Sequence, residues 1–74
     1  SESARVEFDL ASSALVGWTL LDIAGRIVLQ GAPVPLSAGH QQLLLDLGSV
    51  APGPHALRLT MGDRTMSLPL VVAR

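Results

Sequence analysis

The sequence has no cysteine and no lysine, and Phe8 and Trp18 are its only aromatic residues. Without cysteine, neither a disulfide framework nor a thiolate metal site can hold the fold. Five arginines are scattered along the chain and form no phosphate-binding stripe. Two aromatic residues do not make a stacking platform for single-stranded nucleic acid. We therefore expect no nucleic-acid partner, and a fold held by packing and hydrogen bonds.

Long apolar runs are also missing. No stretch approaches the roughly 20 residues that a membrane-spanning helix needs. The start, SESARVEF, has neither the basic end nor the apolar core of a signal peptide. We expect no membrane span, and because the chain lacks an initiator methionine we expect an excised or processed piece of a longer protein.

What is present is enough for one core. The chain has 74 residues, of which 49% are hydrophobic and 15% charged. This composition is too apolar for a disordered chain, and the length is too short for two cores. We expect a single domain over residues 1–74.

The hydrophobic pattern has a period of mostly two residues, which is typical of strands with one face on a core and one in water. Val6, Phe8 and Leu10 alternate with charged residues in the first such segment. Residues 14–21, ALVGWTLL, show the same alternation. Their apolar residues also fit near-helical spacing, but Gly17 and Thr19 disfavour a helix. We predict strands in both segments.

Four further apolar runs follow, each bounded by turn-forming residues: RIVLQ (26–30), QQLLLDL (41–47), HALRLTM (55–61) and RTMSLPLVV (64–72). Between them we predict a long irregular connection over 31–40 with a brief strand near Val34. We also predict a type II turn centred on Pro52 and Gly53, and a tight hairpin in which Gly62 supplies the positive φ. Short strands at intervals of about ten residues, without a convincing helix, predict an all-β sandwich or barrel of six or seven antiparallel strands.

Pro69 lies inside the last apolar run. Because proline cannot donate to a strand ladder, we predict an edge strand or a bulge there. The neighbouring Leu70, Val71 and Val72 then complete the core, or offer an exposed edge to a partner strand. We expect at least two of the three in the core.

The segment LLDIAGRIVLQ (20–30) places Asp22, Gly25 and Arg26 between two apolar runs. If these runs form a hairpin, residues 22–25 make a type I turn closed by a glycine in the left-handed region. The Asp22 carboxylate then accepts the backbone N–H of Ala24. The turn does not require Arg26. Its side chain could pair with a carboxylate, lie over an aromatic face or be solvated.

An ordered set of four segments carries a further signal. LLDIAGRIVLQ is followed by LSAGHQQLLLDL, by LGSVAPGPHALRLTMGD and by a terminal LPLVVAR. From about Val6 to Arg74, this order and spacing resemble the C-terminal sorting domains of the bacterial type IX secretion system. Those domains carry a strand ending in Asp, two free positions and Gly-Arg. They continue with a Leu-x-Ala-Gly-x-His-like segment, an aliphatic strand closed by Asp, a Pro-Gly turn, and an apolar terminal strand with a basic end.

The resemblance implies an immunoglobulin-like β-sandwich whose role is recognition and not catalysis. It implies that an N-terminally attached cargo protein folds in the periplasm, and that outer-membrane translocon components read this domain. A sortase-like protease then removes it, leaving the cargo at the cell surface or secreted. No cofactor is implied. The residues expected to form the sorting motif are Asp22, Gly25, Arg26, Gly39, Pro52, Gly53, Leu70, Val71, Val72 and Arg74.

Two positions depart from the family pattern. His55, preceded by Pro54, stands where the family usually has tyrosine, and Leu68-Pro69 replaces the lysine usual in the last strand. If the export machinery reads that lysine, the signal is altered. If it reads the surface of the sandwich, little is lost.

Other classes of function have less support. A metal site would need a third ligand beside His40 and His55, and catalysis would need a pocket that 74 residues scarcely surround. We predict no metal ligands and no catalytic residues. The alternative is a structural spacer, a fibronectin-like or flagellar-hook-cap-like sandwich beside a catalytic or binding domain. A spacer predicts chain beyond Arg74, whereas a sorting domain should end the gene product there.

Overall fold

Alternation of apolar and polar residues produces strands along most of the chain. The structure, a computed structural model, describes residues 3–73. It contains six strands, all paired antiparallel. They are β1 (Ser3–Leu10), β2 (Ala14–Asp22), β3 (Ile27–Leu36), β4 (Gly39–Asp46), β5 (Gly53–Met61) and β6 (Arg64–Val72). The predicted all-β sandwich of six or seven strands is confirmed.

The strands form two sheets. β1 pairs with β4, and the other sheet has the order β3-β2-β5-β6. This arrangement corresponds to strands B and E of an immunoglobulin sandwich on one side, and to C′, C, F and G on the other. The chain therefore crosses between the sheets after β1, after β3 and after β4.

The core lies between the two sheets. Its most deeply buried side chains, each at most 1% exposed, are Val16, Leu20, Leu45, Leu57 and Leu59. Burying an aliphatic side chain of this size contributes about 1.5–3 kcal/mol. Leu47 and Val50, in the connection between β4 and β5, close one end of the core. Because Val16 and Leu20 point into the core from a continuous strand, the strand prediction for residues 14–21 is correct.

Trp18 packs against the core beside β3. Its indole lies over Gly31, the residue directly opposite it on β3. A Cβ at position 31 would come within 2.6 Å of the indole Cε2. The close approach of ring and backbone therefore requires glycine at this position.

The strand predicted near Val34 is present as part of β3, but the rest of residues 31–40 is not the irregular connection that the sequence predicts. β3 continues to Leu36, and only two residues separate it from β4. β3 is an edge strand, so Pro33 and Pro35, which have no N–H to donate, do not interrupt a central ladder. The prediction was wrong because proline breaks a central strand but not an edge strand.

β6 is the other edge of the four-stranded sheet, as Pro69 predicts. Val72 is 3% exposed and Leu70 packs against the core, whereas Val71 is 70% exposed. Two of the three terminal aliphatic side chains thus complete the core, and the third faces solvent.

The hairpin between β5 and β6 is the one predicted. Gly62, with a φ of 65°, and Asp63 join two strands whose end residues, Met61 and Arg64, pair directly. The predicted turn at Pro52 and Gly53 is different.

Gly53 has a positive φ of 126° but already belongs to β5. The hydrogen-bonded turn lies earlier, where the N–H of Val50 donates to the carbonyl of Leu47 (3.0 Å). Pro54 has no N–H that could close a turn over residues 51–54, which accounts for the difference.

Gly31→Ala should destabilise the sandwich by about 1–3 kcal/mol, the usual cost of overpacking, because its Cβ overlaps the indole of Trp18. Gly17→Ala is the matched control, since a Cβ there meets only Pro33, at 3.5 Å or more. Urea unfolding of both variants, followed by the fluorescence of the single tryptophan, measures the difference. A Gly31→Ala variant as stable as the wild type would contradict the packing of Trp18 over Gly31.

Candidate recognition surface

The chain between β2 and β3 is a tight turn of the predicted kind. The N–H of Gly25 donates to the carbonyl of Asp22 (3.0 Å), and the N–H of Asp22 donates to the carbonyl of Arg26 (2.9 Å). Gly25 has a φ of 85°, a left-handed conformation that glycine adopts without steric cost. The turn closed by a left-handed glycine is confirmed.

The carboxylate of Asp22 holds this turn with three hydrogen bonds. Its Oδ1 accepts the backbone N–H groups of Ala24 and Arg26, both at 2.9 Å. Its Oδ2 accepts the Nε–H of Arg26 at 3.1 Å. The predicted bond from Ala24 is confirmed, and the partner of Arg26 is a carboxylate of the turn itself. We call residues 22–26 with these bonds the Asp22 lock.

The Asp22 lock fixes Arg26 in position and leaves it accessible. The side chain of Asp22 is 19% exposed and that of Arg26 is 81% exposed. The backbone N–H of Arg26 lowers the pKa of Asp22 below its usual value of 3.8. The N–H of Ala24 and the guanidinium of Arg26 also lower this pKa, whereas desolvation of the carboxylate raises it in part. Asp22 is therefore ionised at neutral pH, and the guanidinium that it holds faces solvent.

Strand register decides which of the predicted motif residues lie together. Asp22 pairs with His55, which in turn pairs with Leu70. The Asp22 lock, the beginning of β5 and the end of β6 therefore share one end of the four-stranded sheet, which we call the turn end. The predicted motif residues at the turn end are Asp22, Gly25, Arg26, Pro52, Gly53, Leu70, Val71 and Val72.

Gly39 lies at the opposite end of the sandwich. It pairs with Leu10, whereas the other end of β1 pairs with Asp46. An eight-residue strand is about 25 Å long, so Gly39 cannot share a contact with Arg26. Arg74, the last predicted motif residue, lies outside the described residues.

An apolar row crosses the outer face of the four-stranded sheet at the turn end. Ile27 of β3, Leu21 of β2, Ala56 of β5 and Pro69 of β6 are neighbours in register. Leu20 and Leu57, which alternate with Leu21 and Ala56, are buried in the core, so the row points outward on β2 and β5. On β3 the register shifts between Leu20 and Leu21, and Ile27, beyond this irregularity, is 59% exposed. We call these four residues, together with Val71 two positions further along β6, the apolar row.

Several side chains at this end are unusually exposed for their type. Ile27 is 59% exposed, Val71 is 70% exposed, and Ile23 at the tip of the Asp22 lock is 83% exposed. Contiguous exposed apolar surface is typical of contact with another protein. Sequence reasoning missed the row because each strand shows one outward apolar residue, and only the register shows that they line up.

The outer face of β1 and β4 is charged instead. Nε2 of His40 lies 2.8 Å from Oε1 of Glu7, and its Nδ1 lies 3.1 Å from Oδ1 of Asp9. The hydrogen bond to Glu7, followed by that to Asp9, raises the pKa of His40 above its usual 6.5. Residues 3–73 contain no group of three or more His, Asp or Glu side chains arranged to hold a metal ion.

No protein-family model, curated protein or solved structure matches this chain. Over the range 3–73, no helix is long and apolar enough to cross a membrane.

Asp22→Asn should destabilise the fold at neutral pH, because the amide loses the charge that the N–H donors stabilise. Since folding lowers the pKa of Asp22, its contribution is fully present above its usual pKa of 3.8 and is lost as the pH falls through the lowered value. Urea unfolding of wild type, Asp22→Asn and the exposed control Asp63→Asn measures this across pH. A stability difference for Asp22→Asn that persists unchanged in acid would contradict a charged lock.

We expect the His40 imidazole to titrate above pH 6.5 in the folded chain. An NMR titration of its ring protons would measure this. Glu7→Gln should lower this pKa more than Asp9→Asn, because the bond to Glu7 is the larger cause. Since folding raises the pKa, the stability that His40 contributes is present below pH 6.5 and is lost as the pH rises through the raised value. An unchanged His40 titration in both variants would exclude these contacts in solution.

Proposed function

We propose that this chain is a C-terminal sorting domain that directs an attached cargo protein across the outer membrane by the type IX secretion system. The observation that carries the proposal is the Asp22 lock. The Asp, Gly and Arg of the first family-like segment form one hydrogen-bonded unit with an exposed guanidinium. A chain reversal needs only the glycine, whereas the lock also orients the exposed guanidinium of Arg26.

The gathering of distant segments at the turn end supports the same function. Three of the four segments that carry the resemblance contribute to it, through the Asp22 lock, the beginning of β5 and the end of β6. A partner that binds there meets a folded surface and not a linear peptide. The apolar row offers area that loses water on contact, and Arg26 offers a directional hydrogen-bonding group.

The two departures from the family pattern are compatible with a domain read at its surface. His55 is half-buried, and its Nδ1–H donates to the carbonyl of Gly53 (2.9 Å), so it stabilises the beginning of β5. Pro69 belongs to the apolar row, where the lysine usual in the family would bring a charge. A partner that binds this face would therefore meet an apolar side chain at position 69.

The cargo is attached on the N-terminal side, and translocon components of the outer membrane bind the turn end from the periplasm. A sortase-like protease then separates the cargo, which reaches the cell surface or the medium. The core lies between the two sheets of this chain and is closed at one end by Leu47 and Val50. The surface offered to the translocon therefore stays the same whichever cargo precedes it, and no cofactor takes part.

A structural spacer is the alternative function, because fibronectin-type modules share this sandwich architecture. A spacer acts through its length and stiffness. Changes of single exposed side chains that leave the fold intact should not affect it.

Arg26→Ala and Val71→Lys should each reduce export of a reporter carried by the full-length precursor about tenfold, the effect of losing one important interface residue. The measured quantity is the reporter at the cell surface or in the medium, relative to the total, in cells that have the secretion system.

Leu44→Lys is the matched control for Val71→Lys. Leu44 is 72% exposed, close to the 70% of Val71, but it lies on the outer face of the other sheet. Normal export of both turn-end variants would refute recognition at the turn end and favour the spacer. An equal loss with Leu44→Lys would show that the surface at the turn end has no special role.

A further inference from the structure

A polar row with an arginine at its centre lies beside the apolar row. It consists of Gln30, Thr19, Arg58 and Ser67, one residue from each strand in the order β3-β2-β5-β6. Arg58 is exposed, and no hydrogen bond or ion pair joins its side chain to another residue within 3–73. Its guanidinium is therefore available to a ligand.

The acidic side chains that could have balanced Arg58 lie elsewhere. Glu7, Asp9 and Asp46 alternate with inward-facing residues on β1 and β4, and so they belong to the outer face of the other sheet. Asp22 is held within its own turn, and Asp63 lies beyond the end of β5, in the turn to β6. Arg58 is thus an uncompensated positive charge in the middle of its face, and a carboxylate is the group that its planar fork binds best.

A groove of about 450 Å³ lies on the other side of the polar row. Its lining includes Leu15, Gly17, Pro33 and Thr60. Gly17 has no side chain to fill the groove, and Leu15, which is 59% exposed, borders it. This volume falls within the range of ligand-binding clefts and admits an aliphatic or aromatic side chain.

Groove, arginine and apolar row follow one another at the spacing of a strand. Along β5 they correspond to Thr60, Arg58 and Ala56, which lie opposite Gly17, Thr19 and Leu21 of β2. Alternate residues of any extended chain are about 6.6–6.8 Å apart. An extended peptide lying along β2 and β5 therefore places three alternate side chains on these three features.

We infer that this face binds an extended segment of another protein in which Asp or Glu is flanked, two residues to each side, by large apolar residues. The carboxylate pairs with Arg58, one apolar side chain enters the groove at Gly17, and the other packs on the apolar row. The inference rests on the proposed function, because it gives the chemistry of the partner segment that a sorting domain would meet.

The test is a titration of the purified 74-residue chain with the blocked peptide Gly-Ser-Leu-Thr-Asp-Thr-Leu-Ser-Gly and with its Asn counterpart. Trp18 lines the groove and is the single tryptophan, so its fluorescence and the backbone NMR signals of Thr19 and Thr60 report binding. We expect the Asp peptide to bind, and the Asn peptide and the Arg58→Gln variant each to weaken binding about tenfold.

Arg5→Gln is the control, because Arg5 is an exposed arginine on the other sheet, and it should bind the Asp peptide like the wild type. Equal binding of the two peptides, full binding by Arg58→Gln, or an equal loss in Arg5→Gln would overturn the inference. Absence of binding to the wild type would overturn it as well. Sedimentation of the chain without peptide tests for self-association. If the wild type self-associates and Arg58→Gln does not, the face binds a second copy of this chain instead.

The export assay keeps this inference separate from the proposed function. Export that depends on Arg26 and Val71, without peptide binding, would overturn the inference and leave the sorting function standing. If peptide binding depends on Arg58 but export does not depend on Arg26 and Val71, the sorting function is overturned and the peptide-binding inference stands.

Discussion

The register between β2 and β5 determines which side chains of the four-stranded sheet face the core and which face solvent. A slip of one residue would bring Leu57 and Leu59 to solvent and turn Arg58 towards the core. The register is tied at one end of the sheet, where the N–H of Gly62 donates to the carbonyl of Leu15 (3.0 Å). At the other end, the Asp22 lock determines where β2 stops. In a chain without disulfides, these turns and the aliphatic core together specify a single pairing.

The Asp22 lock has two consequences that follow from the same carboxylate. Its bonds to backbone N–H groups define the turn and hence the point at which β3 begins. Its bond to the Nε–H of Arg26 holds the arginine at the edge of the apolar row. An exposed arginine usually loses conformational entropy when it binds a partner. The contact with Asp22 has already taken part of that loss in the folded domain, so the proposed binding through Arg26 would cost less entropy.

The features that the sequence allowed us to predict are local ones. Alternation predicts β1 and β2, and the residue types at Asp22, Gly25 and Gly62 predict their turns, because each depends on a few neighbouring residues. The continuation of β3 through Pro33 and Pro35 was missed because tolerance of proline depends on an edge position, which the whole sheet decides. The apolar row and the distance of Gly39 from the turn end depend on the pairing of distant strands, which no local pattern contains.

Proline also bears on how a partner can approach the four-stranded sheet. Its two edge strands are β3, which carries Pro33 and Pro35, and β6, which carries Pro69. Each proline removes a backbone donor, so a partner strand that paired along either edge would leave a carbonyl without its hydrogen bond. Addition of a strand at these edges is therefore disfavoured. The partner proposed above would instead meet side chains: the guanidinium of Arg26 at the turn end, and the apolar row across the outer face.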